Sequence, residues 1–418
     1  MNNRVIMRVL FVTPYYAPDL GPSSPLVTML CEDFVTLGHQ VTVLAAVPHF
    51  PSGHVPAEYR RQIWHWETQN GVRVCRVLVP SGDRGQFLHR ALVFVVYQIL
   101  SMIIGLAQSY DVVIITNPAI ETGLPFTVLS VLRRKPAIFC VWDVYPEAGV
   151  KLGIFRHSFV ISIVKALEDF CLLRSQCIQV LSPQFSDTLV KRGISPKKIV
   201  LIPVWLDTDF LQPQPRHNDF ARESKLDGHF VVMYAGNHGH SQALDTVLQA
   251  AQLLETERAI HFLFVGDGIN KPILQSHAHQ MGLKNITFIS FQPRERLPEM
   301  LASADVALIP LKRGLGQDSL PSKVFPILAC GKPMVVSVDE DCELADLVRR
   351  AGAGICVAPE SPQEIANAIL SLYASSELCK QLGSSGREYA IKHHSRDSAV
   401  RQFEYLLLNI STPKSQLL

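Results

Sequence analysis

A stretch near the middle of the second half of the chain, Asp318–Pro333, combines a lone cation, turn residues and the start of an apolar helix. Ser322 is predicted to cap that helix, which places Lys323 at its positive N-terminus. A helix N-terminus with a neighbouring cation is suited to binding an anion. The alternative is a surface lysine beside an ordinary capped helix.

Three further loops place glycine at the end of a predicted strand, near Gly21, Gly236 and Gly266. Each can offer backbone N–H groups to an anion, although glycine after a strand is usually only a turn. Their recurrence together with the Lys323 loop predicts a ligand that carries a diphosphate. The residues predicted to contact this ligand are Gly21, Gly236, Asn237, Gly266, Asp267, Lys271 and Ser322, with Lys323 as the principal cation.

Asp143 stands where the predicted strand Pro136–Trp142 ends, and Glu147 follows closely. A carboxylate in that position can orient a hydroxyl group or accept a proton. The equally weighted alternative is that Asp143 only caps a helix.

The sequence gives little support for a metal site. His238 and His240 lack neighbours at the spacing that metal ligands require. Asp207-Thr-Asp209 superficially matches the Asp-x-Asp signature with which some sugar transferases bind a divalent ion. It lies in the polar stretch between the two halves of the chain, so we expect no metal ion.

The strands and helices that position these residues are predicted to follow the same order in each half of the chain. Uniformly apolar strands alternate with segments of helix length, which is typical of a parallel sheet covered on both faces. The pattern restarts at Phe230–Gly236 after the polar stretch from Asp207 to Asp227. We therefore predict an α/β fold of two Rossmann-like domains that face each other across a cleft. The first loop lacks Gly-x-Gly-x-x-Gly, which argues against a dinucleotide fingerprint.

The composition of the chain argues against some classes of function. The 418 residues carry a formal charge of +2, which is too balanced to indicate a nucleic-acid partner. The nine cysteines show no Cys-x-x-Cys spacing and suit buried positions in a reducing compartment. No cleavable signal pattern precedes the first strand, and either Met1 or Met7 fits as the first residue.

The uncharged segment Ala91–Ala107 has the length of a short transmembrane span. Tyr97, Gln98 and Ser101 lie within it, and insertion would remove a helix from between two predicted strands. We favour a buried crossover helix, ahead of a helix that dips into one membrane leaflet and well ahead of a true span.

Together these motifs resemble the retaining GT-B glycosyltransferases of family 4, and within them the branch that builds bacterial capsule, O-antigen and exopolysaccharide repeats. The resemblance covers nearly the whole chain. The segments that show this resemblance are Tyr15–Gly21, Gly38–Leu44, Pro51–Pro56, Trp142–Glu147, Leu206–Phe210, Tyr234–Asn237, Val265–Gly268, Leu320–Lys323 and Ala329–Pro333.

The resemblance implies transfer of a sugar from a nucleotide diphosphate sugar, with UDP as the expected nucleotide, with retained configuration and without a metal ion or other cofactor. It assigns residues 1–205 to an acceptor domain and 206–395 to a donor domain, with a final helix in 396–418 that crosses back to the first. Glu147 falls on the acceptor side. The implied acceptor is polyprenyl-linked or a growing glycan, and the implied location is the inner face of the cell membrane, with Ala91–Ala107 as a peripheral contact.

Five positions depart from the family pattern. Its two glutamates, one for the donor sugar and one for the ribose, correspond to Asp318 and Pro326, so the second contact is lost. Its diphosphate-binding Arg and Lys correspond approximately to Asn237 and Gln242. Trp142 stands where many members have histidine, beside Asp143. We therefore predict that Lys323 supplies the missing positive charge and that Asp143, Asp318 and Lys323 are the catalytic residues.

These departures leave two other functions open. A non-catalytic GT-B partner or scaffold subunit would tolerate Pro326, Asn237 and Trp142. A nucleotide-sugar epimerase in the same fold would convert its donor without any acceptor.

Overall fold

The computed structural model describes residues 5–19, 21, 23–50, 52–82, 86–151, 157–316 and 320–411. It forms two compact units: residues up to 205 together with those from 396 onward, and residues 206–395. Each unit has one largely parallel sheet covered by helices, which confirms the predicted fold class of two Rossmann-like α/β domains.

The first unit contains an eight-stranded sheet with the order β3-β4-β2-β1-β5-β6-β7-β8. Its neighbouring strands are parallel except for β3 and β4, which are antiparallel. Sequence analysis missed β3, an edge strand whose side chains are only partly buried. The strands are β1 Arg8–Val12, β2 Gln40–Ala46, β3 Trp64–Gln69, β4 Val72–Val77, β5 Val112–Thr116, β6 Ala137–Val141, β7 Cys177–Val180 and β8 Ile199–Leu201.

Alternate residues of β1 enter two different cores, one on each face of this sheet. Leu10 and Val12 belong to one cluster, whereas Val9 and Phe11 belong to the other. A strand that is apolar on both faces is thereby buried on both, as its sequence predicts. The covering helices include α1 Ser24–Thr36, α2 Phe87–Leu106, α3 Ala119–Phe126, α4 Glu147–Lys151, α5 Ser158–Arg174 and α6 Pro183–Lys191.

Helix α2 contains all but the last residue of Ala91–Ala107, the segment that was predicted to be a buried crossover helix. It does connect β4 to β5, but only one face is buried, through residues such as Val93, Tyr97 and Ile104. By length and composition, Leu88–Leu106 is apolar enough to cross a membrane. The opposite face carries an exposed apolar stripe at helical spacing, formed by Leu88, Leu92, Val95, Ile99, Ile103 and Leu106.

The second unit contains a six-stranded sheet with the order β11-β10-β9-β12-β13-β14, in which all neighbours are parallel. Its strands are β9 Phe230–Ala235, β10 Ile260–Val265, β11 Ile286–Ile289, β12 Val306–Pro310, β13 Met334–Ser337 and β14 Gly354–Val357. Its helices are α7 Asp219–Glu223, α8 Leu244–Leu253, α9 Lys271–Gln280, α10 Leu297–Ala302, α11 Val324–Ala329, α12 Glu343–Ala351, α13 Pro362–Tyr373 and α14 Ser376–His394.

The last described helix, α15 Arg396–Ser411, is part of the first unit. Phe403 packs edge-on against the buried Trp205, with ring centres 5.5 Å apart. Arg396 donates to both carboxylate oxygens of Asp33 on α1, at 2.7 and 2.8 Å. An aromatic contact and an ion pair, in which Arg396 Nε is shared between the two Asp33 oxygens, therefore fix this helix on the layer of helices that covers the first sheet.

Candidate active site

The ammonium group of Lys323 lies at the carboxyl end of the second sheet. Its Nζ donates to the Tyr234 hydroxyl at 3.0 Å and to Gln242 Oε1 at 3.3 Å, and it lies 4.1 Å from the centre of the Tyr234 ring. Within the described part of the chain, no carboxylate forms an ion pair with it. Among the described residues, the contacts of this cation are thus neutral groups and a π face, none of which carries a compensating negative charge.

Burial lowers the pKa of Lys323 to about 7. The cause is desolvation, which disfavours the charged form of an amine. An anion bound beside Nζ would reverse this effect and stabilise the ammonium form. The site is thus suited to a phosphate group that brings the missing negative charge with it.

Glycines form the wall of this site, and their backbone geometry requires glycine. Gly236, after β9, has φ +138° and a Cβ there would lie 3.0 Å from Lys323 Nζ. Gly266, after β10, has φ +136°, and a Cβ there would collide with the carbonyl oxygen of Gly236. Two of the predicted glycine loops are therefore in direct contact with each other beside Lys323.

Asn237 and His238 continue the loop after Gly236. The Asn237 carbonyl accepts from the Tyr234 hydroxyl at 2.6 Å, so Tyr234 connects this loop to Lys323. His238 is fully buried, and neither ring nitrogen has a hydrogen-bond partner among the described residues. Burial and the nearby positive charge of Lys271 lower its pKa to about 4, so the imidazole is neutral.

Lys271 was predicted to assist in binding the diphosphate, but it has other contacts. Its Nζ lies 2.8 Å from both the Gly266 carbonyl and Asp267 Oδ1, and 3.3 Å from the Ile289 carbonyl. Asp267 Oδ2 in turn accepts from the Phe291 N–H at 2.8 Å. Lys271 and Asp267 hold the ends of β10 and β11 together, which fixes the shape of the Gly266 loop.

The predicted capping role of Ser322 is wrong. Helix α11 begins at Val324, and Lys323 is its N-cap residue without a side-chain cap. The Pro321 carbonyl closes the preceding turn by accepting from the Val324 N–H at 3.1 Å, so a capping hydroxyl is not needed. Pro326 lies in the first turn, where a missing N–H costs little. Asp318 lies outside the described residues.

In the first unit, Asp143 lies just beyond β6, at the carboxyl edge of the sheet. More than a third of the residue is exposed, yet the surrounding protein desolvates the carboxyl group and raises its pKa to about 6. Asp143 can therefore exchange a proton near neutral pH.

Two residues that sequence analysis overlooked position the backbone at Asp143. The Asn117 amide donates to the Asp143 carbonyl and accepts from the Trp142 N–H at 2.9 Å. Glu168, which is buried, accepts from Asn117 Nδ2 at 3.1 Å and from the Ala119 N–H at 2.8 Å. Glu168 lies within helix α5, and only the fold shows that it reaches the loop after β5.

Glu147 was predicted to lie on the acceptor side. It forms an ion pair with Arg192, whose other terminal nitrogen donates to the Tyr145 carbonyl at 2.7 Å. About half of the Glu147 side chain remains exposed. Its observed contacts stabilise the turn that follows Asp143.

Gly21 was predicted to offer its N–H to an anion, but that N–H donates to Asp19 Oδ1 at 2.7 Å. Asp19 is only 4% exposed, and its other oxygen accepts from the His49 N–H at 2.8 Å and the Phe50 N–H at 3.2 Å. Asp19 thus joins the loops that follow β1 and β2. The sequence signal that could have predicted this contact is the carboxylate two residues before the glycine.

No group of three or more His, Cys, Asp or Glu side chains is gathered to hold a metal ion within the described ranges. The nine cysteines are free thiols, seven of them buried and two partly buried.

Comparison with known proteins gives two family matches that together span most of the chain. Residues 23–205 match the family described as "Glycosyl transferase 4-like domain" and residues 215–389 match "Glycosyl transferases group 1". WcaI of Escherichia coli (strain K12), named as a colanic acid biosynthesis glycosyl transferase, is 26% identical over 410 residues, 95% of this chain and 98% of its own. WbjE of Pseudomonas aeruginosa, named as a glycosyltransferase, is 25% identical over 333 residues, 78% of this chain and 81% of its own.

Solved structures show the same fold. Anabaena HepE in complex with UDP and glucose gives a TM-score of 0.68 at 14% identity, covering 96% of this chain and 99% of its own. WaaG, described as a glycosyltransferase involved in lipopolysaccharide biosynthesis, gives 0.65 at 15% identity, with 96% and 99% coverage.

Proposed function

Because the chain belongs to the GT-B glycosyltransferases, with a glycosyl transferase 4-like domain followed by a group 1 domain, we propose that it is a sugar transferase. It transfers a hexosyl or N-acetylhexosaminyl residue from a UDP-sugar to a lipid-linked or growing glycan acceptor. The reaction belongs to surface polysaccharide synthesis, proceeds with retained configuration and needs no metal ion. The second unit binds the donor and the first unit binds the acceptor.

The observation that carries this proposal is the environment of Lys323. A cation whose described contacts are a hydroxyl, an amide oxygen and an aromatic ring lies beside glycines that allow close approach to the backbone. This arrangement is suited to an anion, and a nucleotide diphosphate carries one at the bond that breaks. Anabaena HepE, which has the same fold, was solved in complex with UDP and glucose, and this supports the choice of nucleotide.

In the proposed reaction, the bond between the anomeric carbon and the diphosphate oxygen breaks, and its electron pair stays on the diphosphate. The acceptor oxygen forms the new bond on the same face, and its proton passes to the departing diphosphate oxygen. Lys323 stabilises the negative charge that develops there, which is usually the largest catalytic contribution of such a group. Asp143 orients the acceptor hydroxyl, and Asp318 binds hydroxyls of the donor sugar.

The acceptor assignment rests on two observations. The relative WcaI is named for the biosynthesis of colanic acid. The exposed apolar stripe of α2 gives the first unit a surface that can lie in the interface of a membrane. We propose that the protein is cytoplasmic and peripheral on the inner face of the cell membrane, with this stripe as the contact.

The test uses the purified full-length chain. A panel of nucleotide diphosphate sugars is screened by thermal shift, and the stabilising donor is incubated with a polyprenyl-linked acceptor, with and without EDTA. We expect transfer that EDTA does not reduce and an anomeric configuration, measured by NMR, that matches the donor. Inversion, or strict dependence on a divalent ion, would contradict the proposed mechanism.

One observation favours a second candidate, a non-catalytic GT-B partner subunit. Pro326 in α11 has no side-chain group that can bind a ribose hydroxyl. A partner subunit would neither transfer the sugar nor hydrolyse the donor in the same assay, whereas the proposed enzyme transfers it.

A further inference from the structure

An open apolar groove of about 560 Å³ lies on the first unit, at the carboxyl edge of its sheet. Leu78 and the three residues after it directly follow β4, and Val55 lies in the segment that follows β2. Helix α2 supplies the opposite wall through Val96, Ile99 and Leu100. The volume falls within the range of roughly 300 to 1,000 Å³ that is usual for sites that bind small molecules.

One charged residue lies in this mainly apolar lining. Arg60 is exposed, and its Nε donates to the Val55 carbonyl at 2.8 Å. Within the described part of the chain, its two terminal nitrogens have no hydrogen-bond partner and Arg60 forms no ion pair. Arg61 beside it is also exposed. The groove therefore combines apolar walls with a guanidinium group that can bind an anionic oxygen.

The groove is continuous with the exposed apolar stripe of α2. Ile99 belongs to both, because it lines the groove and remains 41% exposed. Ile63, which is 58% exposed, lines the groove from the segment before β3, and the neighbouring Trp64 is 45% exposed. An aromatic residue beside aliphatic residues and arginine is typical of surfaces at a membrane interface.

We infer that this groove binds the isoprenoid chain of the lipid-linked acceptor, with the phosphate of that lipid at Arg60. The inference rests on the proposed function, because it specifies the acceptor that the first unit takes. The location favours an acceptor over a bulk phospholipid. An acceptor must bring its sugar to the carboxyl edge of the sheet, where Asp143 lies, whereas a phospholipid gains nothing from binding there.

A soluble probe separates this inference from the transfer reaction. Farnesyl diphosphate carries a short isoprenoid chain and a diphosphate, and its binding to the full-length protein is measured by isothermal titration calorimetry. We expect binding with a negative change in heat capacity, as apolar burial requires. We expect inorganic diphosphate not to displace it.

Three variants test the groove. Leu100→Trp fills it, Ile63→Gln makes its rim polar, and Arg60→Gln removes the cation. Each is expected to weaken farnesyl diphosphate binding about tenfold or more. The matched control is Leu92→Gln on the same helix, which is exposed but does not line the groove, and its affinity should stay within about twofold. Circular dichroism checks folding, and Ile63→Gln, at an exposed position, remains informative if Leu100→Trp does not fold.

Equal affinity of the wild type and Ile63→Gln for farnesyl diphosphate would overturn the inference. A loss of affinity in Leu92→Gln as large as the loss in the groove variants would also overturn it. Binding of phosphatidylglycerol vesicles that falls in Ile63→Gln while farnesyl diphosphate binding is unchanged would assign the groove to phospholipid and also overturn it. These outcomes leave the proposed function intact if the variants still transfer sugar to a polyprenyl-linked acceptor. Absence of transfer with intact farnesyl diphosphate binding would contradict the proposed function instead.

Discussion

The ammonium group of Lys323 lies over the ring of Tyr234, 4.1 Å from its centre, and donates to the hydroxyl of the same residue at 3.0 Å. The Tyr234 hydroxyl in turn donates to the Asn237 carbonyl at 2.6 Å. The cation, the tyrosine and the glycine loop after β9 therefore form one connected unit. Its position depends on Tyr234, which sequence analysis did not select as a site residue.

Replacing Lys323 by methionine should lower the turnover number by roughly 10²- to 10³-fold, the usual cost of losing one group that stabilises the departing anion. The apolar stem is kept, and a cation that burial had made unfavourable is removed, so stability should not fall. Steady-state kinetics and urea unfolding measure both effects. Lys284→Met, at an exposed position, is the control. Unchanged turnover in Lys323→Met would contradict the assignment of Lys323.

Donor binding should take up a proton above pH 7. The pKa of Lys323 is lowered to about 7, so at pH 8 the free protein holds most of this amine neutral. A bound diphosphate favours the ammonium form and raises the pKa again. Calorimetry at pH 8, in buffers with different ionisation enthalpies, should show close to one proton taken up by the wild type and close to none by Lys323→Met. Equal uptake by both proteins would exclude Lys323 as the group that titrates.

The same lowered pKa predicts how stability changes with pH. In the unfolded chain, an ordinary lysine remains protonated up to about pH 10.4. Between pH 7 and that value the unfolded state therefore binds more protons at this position, and the contribution of Lys323 to stability increases with pH. The difference in unfolding free energy between Lys323→Met and the wild type should accordingly shrink as the pH rises from 7 to 10. A constant difference would count against the lowered pKa.

Asp19→Ala should destabilise the first unit by about 1 to 3 kcal/mol, the cost of leaving buried hydrogen-bonding groups unpaired. The carboxylate accepts from the N–H groups of Gly21, His49 and Phe50, so its loss frees the loops after β1 and β2 together. Urea unfolding measures the change, and Asp187→Ala at an exposed position is the control. Asp19→Asn keeps one acceptor oxygen, so its unfolding free energy should lie between those of Asp19→Ala and Asp187→Ala. Equal stability of Asp19→Ala and Asp187→Ala would refute this role.

Glu168→Gln should remove part of the pH dependence of stability. Burial raises the pKa of Glu168 to about 7, so between about pH 4.5 and 7 the folded state holds a proton that the unfolded state has released. Its contribution to stability is present at low pH and is lost as the pH rises towards 7. The wild type should therefore lose on the order of 1 to 3 kcal/mol relative to Glu168→Gln over this window. Parallel profiles from urea unfolding at several pH values would contradict the prediction.

The sequence alone determined the sheets, because a parallel strand buried on both faces needs an uninterrupted apolar run, as in Val9–Val12 and Val306–Pro310. It also singled out Lys323 as a candidate site residue, since a lone cation between a strand and a helix is visible in the primary structure. It missed β3, whose residues include tryptophan, histidine and glutamate, because an edge strand with one antiparallel neighbour has no need of such a run.

Only the tertiary structure decided which groups contact one another. Tyr234 and Gln242 reach Lys323 because two loops meet at the carboxyl edge of one sheet, and Asp19 uses the Gly21 N–H that sequence analysis had assigned to an anion. The sequence also did not determine whether one face of α2 is exposed, because an apolar helix has the same sequence pattern whether protein or lipid covers it. Residue spacing fixes which face of an element a side chain occupies, whereas packing alone fixes what lies opposite that face.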